Sequence, residues 1–238
     1  GVTMVFFALF GSAFVQTQYL QFVLGYSALE AGLRVAPIAL VLMVAAPLSA
    51  RLVERVGTKA VVASGLAIVS LALLVLAFAT VSSGYTPVLV SMLVMGVGMG
   101  MTMAPATESI MGSLPRAKAG VGSAVNDTTR QVRGVLGVAI VGSLLASTYA
   151  SSLGTGAPEA ARASVGAALR VAGDVGGAQG AALALAARSA FVDGMHVGVV
   201  VAAGAALFGS AVALAFLPSR AKLEEDAEAP ADMEVAAA

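Results

Sequence analysis

Apolar residues run through this chain in blocks rather than in stripes. Six blocks, at 2–23, 33–50, 59–81, 87–112, 120–149 and 189–217, approach or exceed the ~20 residues that a helix needs to cross hydrocarbon. None alternates polar with apolar positions as the strands of a membrane barrel do. In lipid the backbone finds no water to bond, so such runs must satisfy their N–H and C=O groups internally, as helices. The pattern predicts an all-α integral membrane protein, a six-helix bundle over 1–217. Between the fifth and sixth blocks, 150–188 is rich in Ala and Gly with scattered charge, which reads as an outside loop carrying a loosely amphipathic helix near 159–171. The last stretch, 218–238, holds Glu224, Glu225, Asp226, Glu228, Asp232, Glu234 and Pro230. It cannot bury a core and is expected to be a disordered tail.

Composition agrees: 59% of residues are hydrophobic, 11% are charged and the mean hydropathy is +0.95, against about a quarter charged in soluble domains. Basic residues define the topology. Arg51, Arg55 and Lys59 follow the second block, Arg116 and Lys118 the fourth, Arg220 and Lys222 the sixth. The turns around 24–32 and 82–86 carry none, Arg34 lies just inside the second block, and the fifth connection carries Arg162, Arg170 and Arg188. The positive-inside rule places the first group, and the C-terminal tail, in the cytoplasm. Zero net charge without a basic stripe argues against nucleic-acid binding. Without cysteine, and with His196 as the sole histidine, no metal set is expected; no phosphate loop, nucleophile elbow or zinc helix is present, so neither an enzyme nor an ATP-driven pump is expected. The chain enters its first apolar block directly from Gly1, so a comparable set of helices is expected upstream as its partner half.

A charge at the centre of a span costs about 2.5–3.5 kcal/mol on insertion scales, so each one asks for a partner or a watery cavity. The fifth block contains Asn126, Asp127, Thr128, Thr129, Arg130, Gln131 and Arg133. Asp127, Arg130 and Arg133 are spaced by three and can share one broad helix face. Two readings stand. Asp127 and Arg130 form a fixed ion pair that steadies packing, or Asp127 is a carboxylate that takes a proton on one face of the membrane and releases it on the other as its hydration changes. Glu108 and Asp193 are further coupling candidates; Glu108 also reads as a carboxylate paired at the cytoplasmic edge. Asp193 and His196 read as a pH-responsive pair or as interfacial hydrogen-bonding groups.

Near the end of the first block, Gln18 and Gln21 share a face at helical spacing and either solvate at the interface or line a substrate cavity. In that cavity Phe14, Phe22 and nearby methionines supply apolar contact, with Asn126 and Arg133 as further lining candidates. Gly96-x-x-x-Gly100 has the small-residue spacing that lets membrane helices approach. Pro105 removes one N–H from the ladder and is a candidate bend.

The segment Ala50-Arg51-Leu52-Val53-Glu54-Arg55-Val56-Gly57-Thr58-Lys59 resembles the loop signature of the major facilitator superfamily, Gly-x-Leu-x-Asp-Arg-x-Gly-Arg-Lys. An acid, Arg55, Gly57 and Lys59 are in register. Ala50, Glu54 and Thr58 depart from it. Tyr19–Ser27 with Ala31-Gly32 and Pro37, Met103-Ala104-Pro105-Ala106-Thr107-Glu108 leading to Leu114-Pro115, and Asn126-Asp127-Thr128-Thr129-Arg130-Gln131-Val132-Arg133-Gly134 are similar to the fourteen-helix drug:proton antiporters of the EmrB/QacA type. Arg133 stands where that family usually has glycine. The resemblance implies the C-terminal half of such a transporter in a bacterial cytoplasmic membrane, exporting hydrophobic or cationic compounds by alternating access against proton entry, with the proton as coupling ion and no cofactor. It also implies a conformational latch at Glu54, Arg55, Gly57 and Lys59. A transporter of one endogenous metabolite on the same fold, and a noncatalytic membrane interaction module, are the alternatives.

Overall fold

The computed structural model describes residues 2–112 and 119–217, with side chains except at 2, 3, 104, 106–112, 119, 121 and 122. The Glu108 side chain, Leu114, Pro115, the basic residues Arg116, Lys118, Arg220 and Lys222, and the acidic tail lie outside the described residues.

The described chain is helical, with no strand among the described residues. Helix α1 (Val2–Gln18) runs into a π-turn at Tyr19–Val23, then come α2 (Ala28–Val35), α3 (Pro37–Val56), α4 (Thr58–Leu76), α5 (Thr86–Gly112), α6 (Ala119–Leu153), α7 (Glu159–Ala163), α8 (Val165–Val175) and α9 (Gly177–Phe216). Five helical stretches among the described residues are long and apolar enough to cross a membrane, and α1 with its π-turn continues to Val23. Helices α1, α6 and α9 pack together, α5 packs on α3 and α4, and the α4–α9 contact joins the two groups.

Several boundaries differ from the sequence expectation for physical reasons. The second block is two helices: Ser27 and Glu30 close a capping box that starts α2, and Pro37, which needs no amide partner in a first turn, starts α3. The expected 159–171 helix is broken at Ser164, whose extended backbone and side chain cap α8 through the Ala167 N–H at 3.2 Å. Helix α9 begins at Gly177 rather than near 189, because its Ala-rich start is a strong helix former despite modest hydropathy. At 40 residues it is about 60 Å long, twice the hydrocarbon thickness of about 30 Å, so its first turns stand clear of the core and pack on α8.

Glycine sets the closest approaches. A Cβ on Gly98 of α5 would lie 2.7 Å from the Gly65 carbonyl oxygen and 2.8 Å from the Val69 nitrogen of α4, so these helices touch backbone to backbone. Gly96 and Gly100 present the next face of α5 to α3, where added Cβ atoms would meet Val41 at 2.9 Å and Ala45 at 2.5 Å. Gly134 and Gly137, beside Arg133, carry the contact of α6 with Phe10 and Phe7 of α1.

Gly57 links α3 to α4 at φ 84°, ψ 156°, a region open essentially to glycine alone. Its N–H caps the Val53 carbonyl at 2.9 Å. Gly57→Ala is expected to cost about 1–3 kcal/mol, read as a lower midpoint of heat inactivation in detergent; an unchanged midpoint would show that this turn is not held in that conformation.

Candidate transport site

The polar residues of α6 lie on a face that its own bundle leaves largely open. The Asp127 side chain is 61% exposed and that of Arg130 24%, with Arg130 Nη1 3.9 Å from Asp127 Oδ1. The Arg130 guanidinium stands 5.0 Å from the centre of the Phe6 ring on α1, a distance at which a cation and an aromatic face attract. Asn126 and Arg133 are half-buried on the same helix, while Val125, Val132, Val135 and Leu136 around them are exposed. Helix α6 thus brings one carboxylate and two guanidinium groups to a surface that also carries Thr128 and Gln131 among exposed Val and Leu side chains.

Across the bundle, α3 and α5 enclose an open groove of about 560 Å³ lined by Leu40, Val44, Leu48, Leu52, Val97 and Met101. Leu40, Val44, Leu48 and Leu52 recur every four residues along α3, and all are exposed. This groove was not read from the sequence. Its signal was the i, i+4 ladder, masked by α3 being apolar on other faces too. Pro105, in α5 beyond the groove, is buried, and the helix continues through it to Gly112.

On α1, Gln16 is 5% exposed, while Gln18 and Gln21 are half-buried. Between Gln18 and Gln21 the chain passes from α1 into the π-turn, whose i→i+5 bonding, as in Leu24 N–H to Tyr19 O at 3.1 Å, takes more residues per turn than an α-helix. Phe14 is partly exposed, with its ring set against Gly142 of α6. Glu54 and Arg55 are exposed at the end of α3, and Lys59 is half-buried in the first turn of α4.

The opposite end is tied together by side chains reaching main-chain carbonyls. Tyr19 Oη donates to Thr80 O at 2.7 Å, Arg188 Nε to Phe22 O at 3.1 Å and Tyr149 Oη to Ala161 O at 2.8 Å. His196 Nε2 lies 2.8 Å from Ala79 O. His196 is therefore engaged with the chain beyond α4 rather than with Asp193, which is exposed; no Asp193–His196 ion pair occurs among the described residues. Arg34 is flanked by Tyr26 and Tyr85, and Tyr85 Oη donates to its carbonyl at 2.6 Å. Burial raises the Tyr85 hydroxyl above its usual range, with Arg34 pulling it down and Tyr26 raising it further, so the phenol stays protonated and able to donate at neutral pH.

Over residues 1–138 the chain matches the Major Facilitator Superfamily. The chain belongs to that superfamily. It is a multi-pass membrane protein of a transporter family, not an enzyme. It is 32% identical to the multidrug efflux pump LfrA of Mycolicibacterium smegmatis, over 86% of this chain and 42% of that protein. To the tetracenomycin C resistance and export protein of Streptomyces glaucescens it is 30% identical, over 97% of this chain and 45% of the relative. To the methyl viologen resistance protein SmvA of Salmonella typhimurium it is 31% identical, over 90% and 44%. The chain spans less than half the length of these relatives.

Proposed function

We propose that this chain is the C-terminal half of a fourteen-helix, proton-coupled exporter of hydrophobic or cationic compounds in a bacterial cytoplasmic membrane, with its tail on the cytoplasmic side. The observation that carries the reading is the likeness of nearly the whole chain to relatives named for efflux, resistance and export. Two features of the fold support it. The α3–α5 groove has the apolar lining that would take the uncharged body of an amphipathic substrate. The α6 face carries a carboxylate that its own half leaves open, as a group exchanging protons with alternating aqueous compartments must be. Its partners on this reading are the bilayer, the N-terminal half and small amphipathic solutes, with no nucleic acid and no cofactor beyond the proton.

The test is ethidium uptake into everted vesicles containing the full-length protein under an imposed pH gradient. Uptake that appears with the gradient and collapses when it is dissipated is expected. Absence of uptake by well-expressed protein would overturn multidrug export and point to a transporter of one metabolite.

A further inference from the structure

We propose that Tyr26 and Tyr85 form a binding site for organic cations at the end of the bundle opposite the α3–α4 turn, occupied in this conformation by the chain's own Arg34. The guanidinium carbon of Arg34 lies 3.7 Å from the centre of the Tyr26 ring and 6.0 Å from that of Tyr85, both within the ~6 Å reach of cation–π attraction. The rings arrive on different segments, Tyr26 before α2 and Tyr85 just before α5, so the tertiary fold builds the site around a positive charge.

Arg34 forms no ion pair among the described residues, although its charge attracts the Glu30 carboxylate one turn back on α2. Its guanidinium makes one long hydrogen bond, Nη1 to Glu30 O at 3.3 Å, at the outer limit for such a bond. Its backbone is fixed separately, because Tyr85 Oη grips the Arg34 carbonyl at 2.6 Å. The flexible side chain can therefore leave the rings without displacing α2. What it vacates is an aromatic pair suited to a monovalent cation with an apolar surface, since a quaternary ammonium is held by the same attraction. As a tethered competitor Arg34 acts at an effective concentration in the millimolar range, which masks the site from weakly binding cations.

On the export reading, this is a release-side station that Arg34 reclaims as the cation departs; that role rests on the export proposal, whereas the binding itself does not. Tyr26 and Tyr85 are two of the four tyrosines in this chain, and ring-labelled tyrosine reports on them once their signals are assigned. The experiment titrates tetraethylammonium into full-length protein in phosphatidylglycerol nanodiscs, with Tyr26, Tyr85 and Tyr149 signals assigned by single Tyr→Phe substitutions. In Arg34→Gln, saturable shifts of Tyr26 and Tyr85 are expected with a Kd about tenfold or more below that of the unaltered protein. The buried Tyr149 should not move and reports that the variant is folded. Adding Tyr26→Leu should remove the response at Tyr85.

Equal affinity with and without Arg34, or an equal response to neutral tert-butanol, would overturn the proposal and leave the cluster as a packing staple. A response to phosphatidylethanolamine headgroups without one to tetraethylammonium would overturn it in favour of a lipid contact. Tyrosine shifts in a protein that fails the vesicle assay would sink the export reading and leave the site standing; transport without shifts would do the reverse.

Discussion

Asp127→Asn in the full-length protein is expected to abolish gradient-driven ethidium uptake, by at least about tenfold, while expression and membrane insertion stay unchanged. The substitution keeps the shape of the side chain and removes only its capacity to cycle between charged and neutral forms. Its leverage comes from position. Asp127 lies in a helix of 35 residues that crosses the membrane, and this chain leaves its side chain 61% exposed. A carboxylate turned to lipid would cost a few kcal/mol, so this face has to meet water or protein. Arg130, resting on Phe6, is an anchored countercharge. Opposite charges about 4 Å apart attract by about 1 kcal/mol in bulk water and about 4 kcal/mol at an effective dielectric of 20, and a pair as open as this one belongs near the lower figure. The strength of that attraction therefore depends on how wet the surrounding space is, which is the property the coupling proposal calls on. Full transport in Asp127→Asn would eliminate the coupling role. A structural ion pair makes a different demand: single changes at Asp127 and Arg130 would each lower thermal stability, and the double variant would recover part of the loss.

The second large effect is expected where α4 and α5 meet. Gly98→Ala forces a methyl group to within 2.7–2.8 Å of Gly65 O and Val69 N, both backbone atoms that cannot swing aside, and overpacking of that kind typically costs about 1–3 kcal/mol. Gly98→Leu should yield no monodisperse protein on gel filtration in detergent. Gly204→Ala on α9 is the control, since a Cβ there has open space around it. If Gly98→Ala survives heating as well as Gly204→Ala does, the seam is not as close as this structure has it.

The all-α membrane fold was legible because hydrocarbon permits so few backbone solutions: a block such as 59–81 has to be a helix whatever its neighbours are. Element ends were less legible, because they depend on local competition. Ser164 is a recognisable cap, yet the weak amphipathic pattern around it reads as one continuous helix. The first turns of α9 read as loop because Ala and Gly lower hydropathy, although alanine favours helix. The π-turn has no comparable signature, since one wider turn changes hydrogen-bond partners without asking for a particular residue. Of the site, the crowding of polar groups between Asn126 and Arg133 was readable because polarity is conspicuous in an apolar span. The enclosure of Arg34 by Tyr26 and Tyr85 was not, because only folding brings α5 beside the loop before α2. The reach of His196 to Ala79 was hidden for the same reason.

The stitching at that end has an evolutionary consequence. Tyr19, Tyr85, Tyr149, Arg188 and His196 all address main-chain carbonyls, at Thr80, Arg34, Ala161, Phe22 and Ala79 respectively. A carbonyl is present whichever amino acid occupies the position, so the accepting segments can drift in sequence without losing a bond, whereas each donor is one codon change away from silence. Inheritance of this end's hydrogen bonding is thereby concentrated in five side chains, whereas the bonds themselves ask for no particular residue at the accepting positions.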